Sequence, residues 1–224
     1  SSQFNTKMRS FTNNSVEPRQ ALIESLRRKG ITSEAVLDAM GRVPRELFVP
    51  RQMRHLAYAD RAQPIGCNQT ISQPYIVALM TQALELCGIE SVLEVGTGSG
   101  YQAAVLAELA RSVISIERFE ELAVRAVNRL TRLGYGNITV IEGDGNLGWP
   151  AQAPYDRVIV TAAAVECPPA LFEQLCEGGL LVIPLGCCGH QVLTQIRKVA
   201  GEPVIRKLCE CAFVPLVHGV VEAV

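Results

Sequence analysis

The sequence has few features of a membrane protein or a nucleic-acid-binding protein. Its 224 residues contain no apolar run near the roughly 18 residues that a membrane-spanning helix requires. With 21 basic and 22 acidic residues it has a net charge of -1, and no long block of basic residues is present. Its polar start, SSQFNTKMRSFTNNS, lacks the apolar core of a signal peptide. We therefore expect a cytoplasmic protein that binds neither nucleic acid nor membrane.

Residues that bind metals or activate nucleophiles are also scarce. The eight cysteines include no C-x-x-C pair and only three histidines are present, so no zinc site is predicted. We expect reduced, mostly buried thiols and no metal. His55, His190 and His218 lie far apart, and none belongs to a nucleophile motif such as G-x-S-x-G. No histidine is therefore given a catalytic role.

The composition is that of one folded domain. Hydrophobic residues make up 48% of the chain, which is long enough to bury a sizeable core. Residues 1–16 show no periodicity, so we expect a mobile N-terminal arm followed by a single domain over 17–224. Apolar residues at helical spacing predict a helix over 18–29, which Gly30 ends.

The next part of the chain predicts two more helices around a long irregular segment. One helix begins after Thr32 or Ser33, and another begins at Pro74. Residues 47–73 between them are too many for an ordinary connector, and such segments usually bind something or are disordered.

From residue 91 onward, apolar strand-like runs alternate with helix-like segments. The runs are SVLEV, SVISIE, ITVIEG, DRVIVTA and GLLVIP. The helical segments are clearest over 101–110, 119–133 and 168–176. This alternation predicts an α/β fold with a doubly wound, mostly parallel sheet and helices on both faces. QVLTQIRKV and LCECAFVPLV predict a closing, hairpin-like pair of strands.

The stretch VLEVGTGSGYQAA, residues 92–104, has glycines at three alternate positions between a predicted strand and a predicted helix. A Walker phosphate loop requires Lys and then Ser or Thr after the last glycine, but Tyr and Gln follow Gly100. A dinucleotide turn has G-x-G-x-x-G, whereas Gly96, Gly98 and Gly100 form G-x-G-x-G. The turn therefore argues against ATP or GTP hydrolysis and departs from the dinucleotide pattern.

Acidic residues near the turn narrow the choice of ligand. Glu94 precedes the first glycine, Glu117 ends the next predicted strand, and Asp144 follows the one after that. An acid at the end of such a strand can accept both hydrogen bonds of a ribose diol, and we expect the three acids to converge on one site. Taken singly, Glu117 could be a helix-start acid and Asp144 a turn former. The glycine turn contains no basic residue that could bind a phosphate. S-adenosylmethionine, a nucleoside without phosphate, therefore fits best.

Eight segments match motifs that occur together in one known family. They are LFVP at 47–50, AYAD at 57–60, PIGCNQTISQPYIVALM at 64–80, VLEVGTGSGYQAAVLA at 92–107, EGDG at 142–145, YDRVIVTAA at 155–163, GGLLVIPLG at 178–186 and FVPLV at 213–217. In these motifs the chain resembles the protein-L-isoaspartate (D-aspartate) O-methyltransferases over nearly all of residues 18–220. QTISQP is the most specific of them.

The resemblance implies a fold, an activity and a cofactor. The fold is the Rossmann-like class I fold of S-adenosylmethionine-dependent methyltransferases, with added N-terminal helices. The activity is transfer of the methyl group of S-adenosylmethionine to the free α-carboxylate of L-isoaspartyl residues in damaged proteins and peptides, a step in protein repair. The product S-adenosylhomocysteine would occupy the same pocket, and no metal is required.

The resemblance also assigns roles to particular residues. The substrate-binding residues are Thr70, Ile71 and Ser72, and Ser72 takes the active-site role. The residues expected to bind the cofactor are Glu94, Gly96, Thr97, Gly98, Ser99, Gly100, Glu117, Asp144 and Gly145.

Two positions depart from the family's pattern. Asn146 stands where related sequences often carry an aromatic residue, so we expect contacts near the adenine to differ. Ala212 occupies a place that is frequently arginine. If that arginine holds the substrate carboxylate or the closing strand, its absence affects substrate affinity unless the nearby Arg206 or Lys207 compensates.

The chemistry of carboxyl methylation suits these residues. A carboxylate with a pKa of roughly 4 is already ionised at neutral pH, so no strong general base is needed. Ser72 lies two residues before Pro74, where free N–H groups of a helix start favour an anion. In the simpler alternative, Ser72 or Thr70 merely caps that helix. We expect residues 47–73 to form a lid and peptide groove that includes Tyr58, Asp60 and Pro64; the alternative is a structural loop.

Two other functions remain open at this point. The chain could be an S-adenosylmethionine-dependent methyltransferase for a small molecule, or a non-catalytic protein that binds the same nucleoside. QTISQP and the N-terminal helices argue against the first, and the intact Ser72 and glycine turn argue against the second. We expect a monomer.

Overall fold

The computed structural model describes residues 16–187 and 189–221. The predicted N-terminal arm lies outside these ranges except for Val16, which already belongs to the first helix. The helices are α1 (Val16–Arg28), α2 (Glu34–Arg42), α3 (Pro74–Ala83), α4 (Tyr101–Ala107), α5 (Glu120–Arg132) and α6 (Pro169–Glu173). The strands are β1 (Gln63–Gly66), β2 (Gln69–Ile71), β3 (Ser91–Val95), β4 (Ser112–Glu117), β5 (Ile138–Glu142), β6 (Tyr155–Val160), β7 (Leu175–Cys187), β8 (His190–Val199) and β9 (Glu202–Cys211). Within the described ranges, no helix is both long and apolar enough to cross a bilayer.

The first two helices form where the sequence predicts them. Gly30, with a φ of +97°, follows the end of α1, a backbone conformation that favours glycine. Ser33 is the N-cap of α2, and its side chain accepts a hydrogen bond from the N–H of Val36. Arg45–Leu47 and Arg51–Leu56 are short 3₁₀ helices in the segment predicted to be irregular.

The main sheet has seven strands in the order β5-β4-β3-β6-β7-β8-β9. The five strands from β5 to β7 run parallel, whereas β8 and β9 are added antiparallel. The predicted doubly wound, mostly parallel sheet is therefore confirmed. The direction of winding reverses between β3 and β6, and a ligand crevice forms at the carboxyl ends of strands at such a point.

Both faces of the sheet are buried, because adjacent residues of a strand point to opposite sides. In β3, Leu93 packs with residues of β4, β6 and β7 on one face, and Val92 packs under α3 on the other. A third apolar cluster joins α1 and α2 to α4 and α5. It fixes the N-terminal layer over the carboxyl ends of the strands.

The predicted ends of two later elements are wrong. The helix predicted over 168–176 is shorter, because Leu175 already enters β7. The hairpin of β8 and β9 is present, but β9 ends at Cys211 and the FVPLV segment is not a strand. That segment instead turns back over the sheet and makes one bridge, between Pro215 and Ala163.

The expectation of mostly buried thiols is also wrong. Of the cysteines that the structure describes, Cys87 and Cys187 are exposed and the rest are half-buried, and none of them is in a disulfide. Cys209 and Cys211 lie in β9 at the edge of the sheet, and Cys187 ends β7. These places are peripheral, so hydrophobicity alone did not determine where the thiols lie.

Candidate active site

One cavity of about 560 Å³ opens at the carboxyl ends of the parallel strands. One side is built from the turns that follow β3, β4, β5 and β6. The other side is built from the end of the β1–β2 hairpin, the start of α3 and the segment after β9. The predicted residues that line it are Thr70, Ile71, Ser72, Gly96, Thr97, Gly98, Ser99, Glu117 and Gly145. The cavity therefore joins most of the residues expected to bind cofactor to all of those expected to bind substrate.

The glycine turn is shaped by close backbone approaches. Gly96 has a φ of +96°, and a Cβ there would lie 2.3 Å from Oγ1 of Thr161. That hydroxyl is held in place, because it donates to the carbonyl oxygens of Val95 and Gly96, at 3.1 Å and 2.8 Å. Gly100, with a φ of +87°, is the N-cap of α4 and does not line the cavity. Glycine is thus needed first for contact with the neighbouring strand and last to begin the helix.

Glu117 occupies the position expected for an acid that binds ribose. Its side chain is buried, and its carboxylate accepts the N–H of Gly98 at 2.7 Å and the N–H of Phe119 at 3.0 Å. Burial raises the pKa of Glu117, and these backbone hydrogen bonds oppose the shift. A carboxylate has about four acceptor positions, so it can accept further hydrogen bonds from a ligand in the cavity.

Glu94 does not converge on the cavity, contrary to the expectation that three acids meet there. Its side chain is fully buried beneath the glycine turn, where Oγ of Ser115 bonds one carboxyl oxygen. Thr97 Oγ1 lies 2.6 Å from the same Ser115 hydroxyl. Burial raises the pKa of Glu94 to about 8. Glu94 lies within β3 rather than at its end, so its contact with the turn passes through Ser115 and Thr97.

Asp144 also lies outside the cavity lining, although its neighbour Gly145 is part of it. One carboxylate oxygen of Asp144 accepts hydrogen bonds from the backbone N–H and the side-chain amide of Asn146. The other oxygen accepts the N–H of Gly219 at 2.8 Å. Burial opposes ionisation, but these hydrogen bonds and nearby His218 outweigh it and lower the pKa of Asp144. Asn146 does not line the cavity, and its side-chain amide donates a hydrogen bond to Asp144 instead.

Ser72 faces the cavity and does not cap α3. The N-cap of α3 is Gln73, and no side chain of the cap residue bonds the helix. Instead Asp60 accepts the N–H of Tyr75 at 2.8 Å. The capping alternative for Ser72 and Thr70 is therefore wrong, and so is the idea that the first N–H groups are all free for a ligand. The Ser72 hydroxyl makes no hydrogen bond to the described residues and is available to a ligand.

The long segment before α3 divides into two parts. Residues 68–73 line the cavity, as expected for a binding segment. Tyr58 instead receives a hydrogen bond from Arg19 at 2.9 Å and donates one to Glu46, and Asp60 pairs with Lys29 at 2.5 Å. Tyr58, Asp60 and Pro64 do not line this cavity, and the first two connect the segment to the N-terminal helices.

Several cavity residues were not predicted as site residues. Phe119 lies two residues after Glu117 in the sequence and adds an aromatic residue to the cavity lining. Thr161 and Ala162 follow β6, and residues 213–217 cover the opposite side. The only signal for them was the presence of YDRVIVTAA and FVPLV among the family motifs. Their approach to the turn depends on strand order, which local pattern does not reveal.

Ala212 is part of the cavity wall, and its methyl side chain places no positive charge there. Arg206 and Lys207 are exposed on β9 and do not line the cavity. The expectation that they compensate for an arginine at 212 therefore has no support in the geometry. In the part of the chain that is described, no group of three or more histidine, cysteine or acidic side chains could hold a metal.

A mostly parallel sheet with a cavity at the carboxyl ends of its strands is the Rossmann-like class I fold of S-adenosylmethionine-dependent methyltransferases. Residues 17–221 match the sequence model of the Protein-L-isoaspartate(D-aspartate) O-methyltransferase family. The chain therefore belongs to that family.

Similar proteins support this membership. The chain is 54% identical over 198 residues to the protein-L-isoaspartate O-methyltransferase of Dictyoglomus turgidum, covering 88% of this chain and 90% of that protein. It is 53% identical over 207 residues to the protein of the same name from Ignicoccus hospitalis, covering 90% and 98%.

Two solved structures share the architecture. A protein-L-isoaspartate O-methyltransferase superposes with a TM-score of 0.80 at 29% identity, covering 90% of this chain and 67% of that one. A Plasmodium falciparum protein described as a β-aspartate methyltransferase, in complex with S-adenosyl-L-homocysteine, superposes with a TM-score of 0.77 at 27% identity. That comparison covers 89% of this chain and 98% of the other.

Proposed function

We propose that this protein transfers the methyl group of S-adenosylmethionine to the α-carboxylate of L-isoaspartyl residues in damaged proteins and peptides. One observation carries the proposal: the glycine turn with Glu117 and the Thr70–Ser72 segment open onto the same cavity. The proposed nucleoside-binding end and the proposed carboxylate-binding end would thus meet within one cavity.

The cofactor end has the donors and acceptors that S-adenosylmethionine needs. Glu117 can accept hydrogen bonds from a ribose diol, and Gly96, Gly98 and Gly145 line the same cavity. Among the residues that line the cavity, Arg118 is the one basic side chain, and it donates to the carbonyl oxygen of Gly219. The lining therefore suits a nucleoside without phosphate. When bound, the cofactor supplies an electrophilic methyl group.

At the acceptor end, the protein needs to hold and desolvate a nucleophile rather than generate one. The pKa of a carboxyl group lies well below neutral pH, so the acceptor is already ionised and needs no general base. The described lining accordingly needs no histidine. Ser72 is proposed to donate its hydroxyl hydrogen bond to that carboxylate and aim one oxygen at the methyl group. Ile71 and Phe213 give this end of the cavity apolar surface. Orientation and desolvation of this kind supply about 7 kcal/mol or more in favourable cases.

The remaining assignments also stand as proposals. Residues 17–224 would act as a single methyltransferase domain, cytoplasmic and monomeric, on proteins and peptides with isoaspartyl residues rather than on nucleic acid or membranes. Size-exclusion chromatography with light scattering tests the monomer directly, since a dimer would double the measured mass.

Two peptides that differ only in an isoaspartyl or a normal aspartyl linkage test the proposed activity. With labelled S-adenosylmethionine, methyl transfer is expected for the isoaspartyl peptide alone. Transfer to neither peptide, together with binding of S-adenosylhomocysteine, would leave the nucleoside pocket and overturn the proposed acceptor. Transfer to a panel of small carboxylic acids instead would favour the small-molecule alternative.

A further inference from the structure

Arg45 is a fully buried cation with no role in the proposed methyl transfer. It lies in the 3₁₀ helix Arg45–Leu47 and has no exposed surface. Its Nε donates to the carbonyl oxygen of Ala57 at 2.8 Å, and its Nη2 donates to the carbonyl oxygen of Ser72 at 2.8 Å. The guanidinium lies over the ring of Tyr101, 4.7 Å from its centroid, and Nη1 has no hydrogen-bond partner among the described residues.

The charge of Arg45 has no direct ion-pair partner among the described residues, although Asp60 attracts it from a greater distance. No carboxylate of the described residues lies within ion-pair distance of it, whereas Arg19, which also lies over a tyrosine, pairs with Glu46 at 3.3 Å. Burial lowers the pKa of Arg45, and nearby Tyr101 is foremost among the groups that oppose the shift. An unpaired buried charge is costly, and a hydrophobic residue in its place is often neutral or stabilising. Stability alone therefore gives little reason for an arginine here.

The position of Arg45 relative to the cavity supplies a reason. Ser72 and Tyr101, the two residues that Arg45 contacts through its Nη2 and its guanidinium face, both line the cavity. Arg45 therefore lies directly behind this wall. The residues that line this end include no cation, since Ala212 is apolar and Glu210 is negative. A positive charge in a poorly screened interior acts over several ångströms.

We propose that Arg45 is a positioning residue that fixes the backbone at Ser72 and whose unpaired charge makes this end of the cavity prefer an ionised carboxyl group to a neutral one. The inference rests on the proposed function, in which the substrate carboxylate binds at Ser72. In this arrangement the substrate carboxylate would act as the counter-ion of the Arg45 guanidinium. Selection of a carboxylate would then not require an arginine at position 212.

Binding of two peptides to the full chain with S-adenosylhomocysteine tests this inference. One peptide carries the isoaspartyl α-carboxylate, and in the other a carboxamide replaces it. The wild-type protein is expected to bind the carboxylate peptide more tightly, and Arg45→Met to reduce that preference by about tenfold or more. Arg45→Lys, which keeps the charge, should retain most of the preference while binding both peptides less tightly.

Arg19→Met is the matched control, because it removes a cation that stacks on a tyrosine but lies away from the cavity. It should leave the preference unchanged. Equal loss of affinity for both peptides in Arg45→Met would reduce Arg45 to a structural role and overturn the inference. If that variant does not fold, as judged by circular dichroism, Arg45→Lys decides: a collapsed preference despite the retained charge would overturn it.

The controls also separate this inference from the proposed function. A wild-type protein that methylates the isoaspartyl peptide but binds acid and amide equally would overturn the role of Arg45 alone. A wild-type protein that binds S-adenosylhomocysteine and methylates no isoaspartyl peptide would overturn the proposed function, and with it the basis for the role of Arg45.

Discussion

The two ends of the cavity are built in different ways. The cofactor end uses residues that directly follow parallel strands, such as Gly96–Ser99 after β3 and Glu117 at the end of β4. The acceptor end combines Thr70–Ser72 with residues 210–217, and it is supported from behind by Arg45. The first end is therefore defined by local sequence next to each strand, and the second by contacts between segments far apart in the chain.

This difference separates recognition of the cofactor from recognition of the acceptor. Backbone groups at the ends of a rigid sheet have little freedom, so the nucleoside end should tolerate almost no change in shape. The acceptor end depends on individual side chains and on a hairpin, β1–β2, that pairs only with itself. Substitutions there should change turnover more than folding.

The largest effect is expected at the cofactor end, for Gly96→Ala. The new Cβ would lie 2.3 Å from Thr161 Oγ1 and would strain a φ of +96°. We expect the affinity for S-adenosylhomocysteine, measured by calorimetry, to fall by about 100-fold. Gly88→Ala is the matched control, since Gly88 has a φ of +101° with open space around its Cβ position and lies outside the cavity lining. Similar affinity in the two variants would contradict the rigid turn.

The next largest effect is expected at the acceptor end, for Ser72→Ala. Loss of one hydrogen bond to a charged group should lower kcat/KM for an isoaspartyl peptide by about 20-fold. The melting temperature should hardly change, because Asp60 rather than Ser72 caps α3. Ser33→Ala makes the same change at a true N-cap, so it should cost about 1 kcal/mol of stability and leave kcat/KM intact. Unaltered turnover in Ser72→Ala would remove its proposed role.

A smaller effect, on stability alone, is expected for Glu94→Gln beneath the glycine turn. Folding raises the pKa of Glu94 from 4.5 to about 8, so the folded state favours the protonated form. The resulting stability is fully present below pH 4.5 and is lost as the pH rises towards 8. The variant should gain about 1 kcal/mol or more relative to the wild type between pH 5 and pH 8. Thermal melts across this range measure it.

Glu90→Gln is the opposite control for that experiment. Burial acts against the charge of Glu90, but hydrogen bonds from Cys87, Gly88 and Ile89 outweigh it and lower the pKa. Its contribution is present above pH 4.5 and lost as the pH falls through the lowered pKa of the folded state. Between pH 5 and pH 8, Glu90→Gln should therefore differ from the wild type by a nearly constant amount, whereas Glu94→Gln should gain stability relative to the wild type as the pH rises. A constant difference for Glu94→Gln as well would show that the pKa of Glu94 is not raised in the folded protein.

The smallest effect is expected for Arg206→Ala and Lys207→Ala. Both side chains are exposed on β9 and lie outside the cavity lining. We expect kcat/KM for an isoaspartyl peptide to stay within about twofold of the wild type in each. A large rise in KM for either variant would mean that a cation on β9 reaches the substrate. Arg45 would then not be the only cation that acts on the substrate carboxylate at the acceptor end.

Hydrophobic pattern located the turns of the cofactor end, whereas Thr70, Ile71 and Ser72 at the acceptor end were identified only through the family resemblance. Strands β3 and β4 are buried runs next to turn signals, so their positions, and that of Glu117, follow from hydrophobic pattern. Glu94 was misplaced because one step along a strand reverses the face of its side chain. The roles of Tyr58 and Asp60 were also misjudged, since their partners Arg19 and Lys29 lie in α1 and just after it. No local pattern reveals such pairings.

The attachment of residues 213–217 has an evolutionary consequence. Ala163 donates its N–H to the carbonyl oxygen of Val214 at 2.8 Å and accepts the N–H of Leu216 at 2.7 Å. Main-chain atoms alone make these two bonds, so they do not depend on the identity of the side chains at these positions. Substitutions in this segment can therefore alter the acceptor end while these two bonds to the sheet are kept.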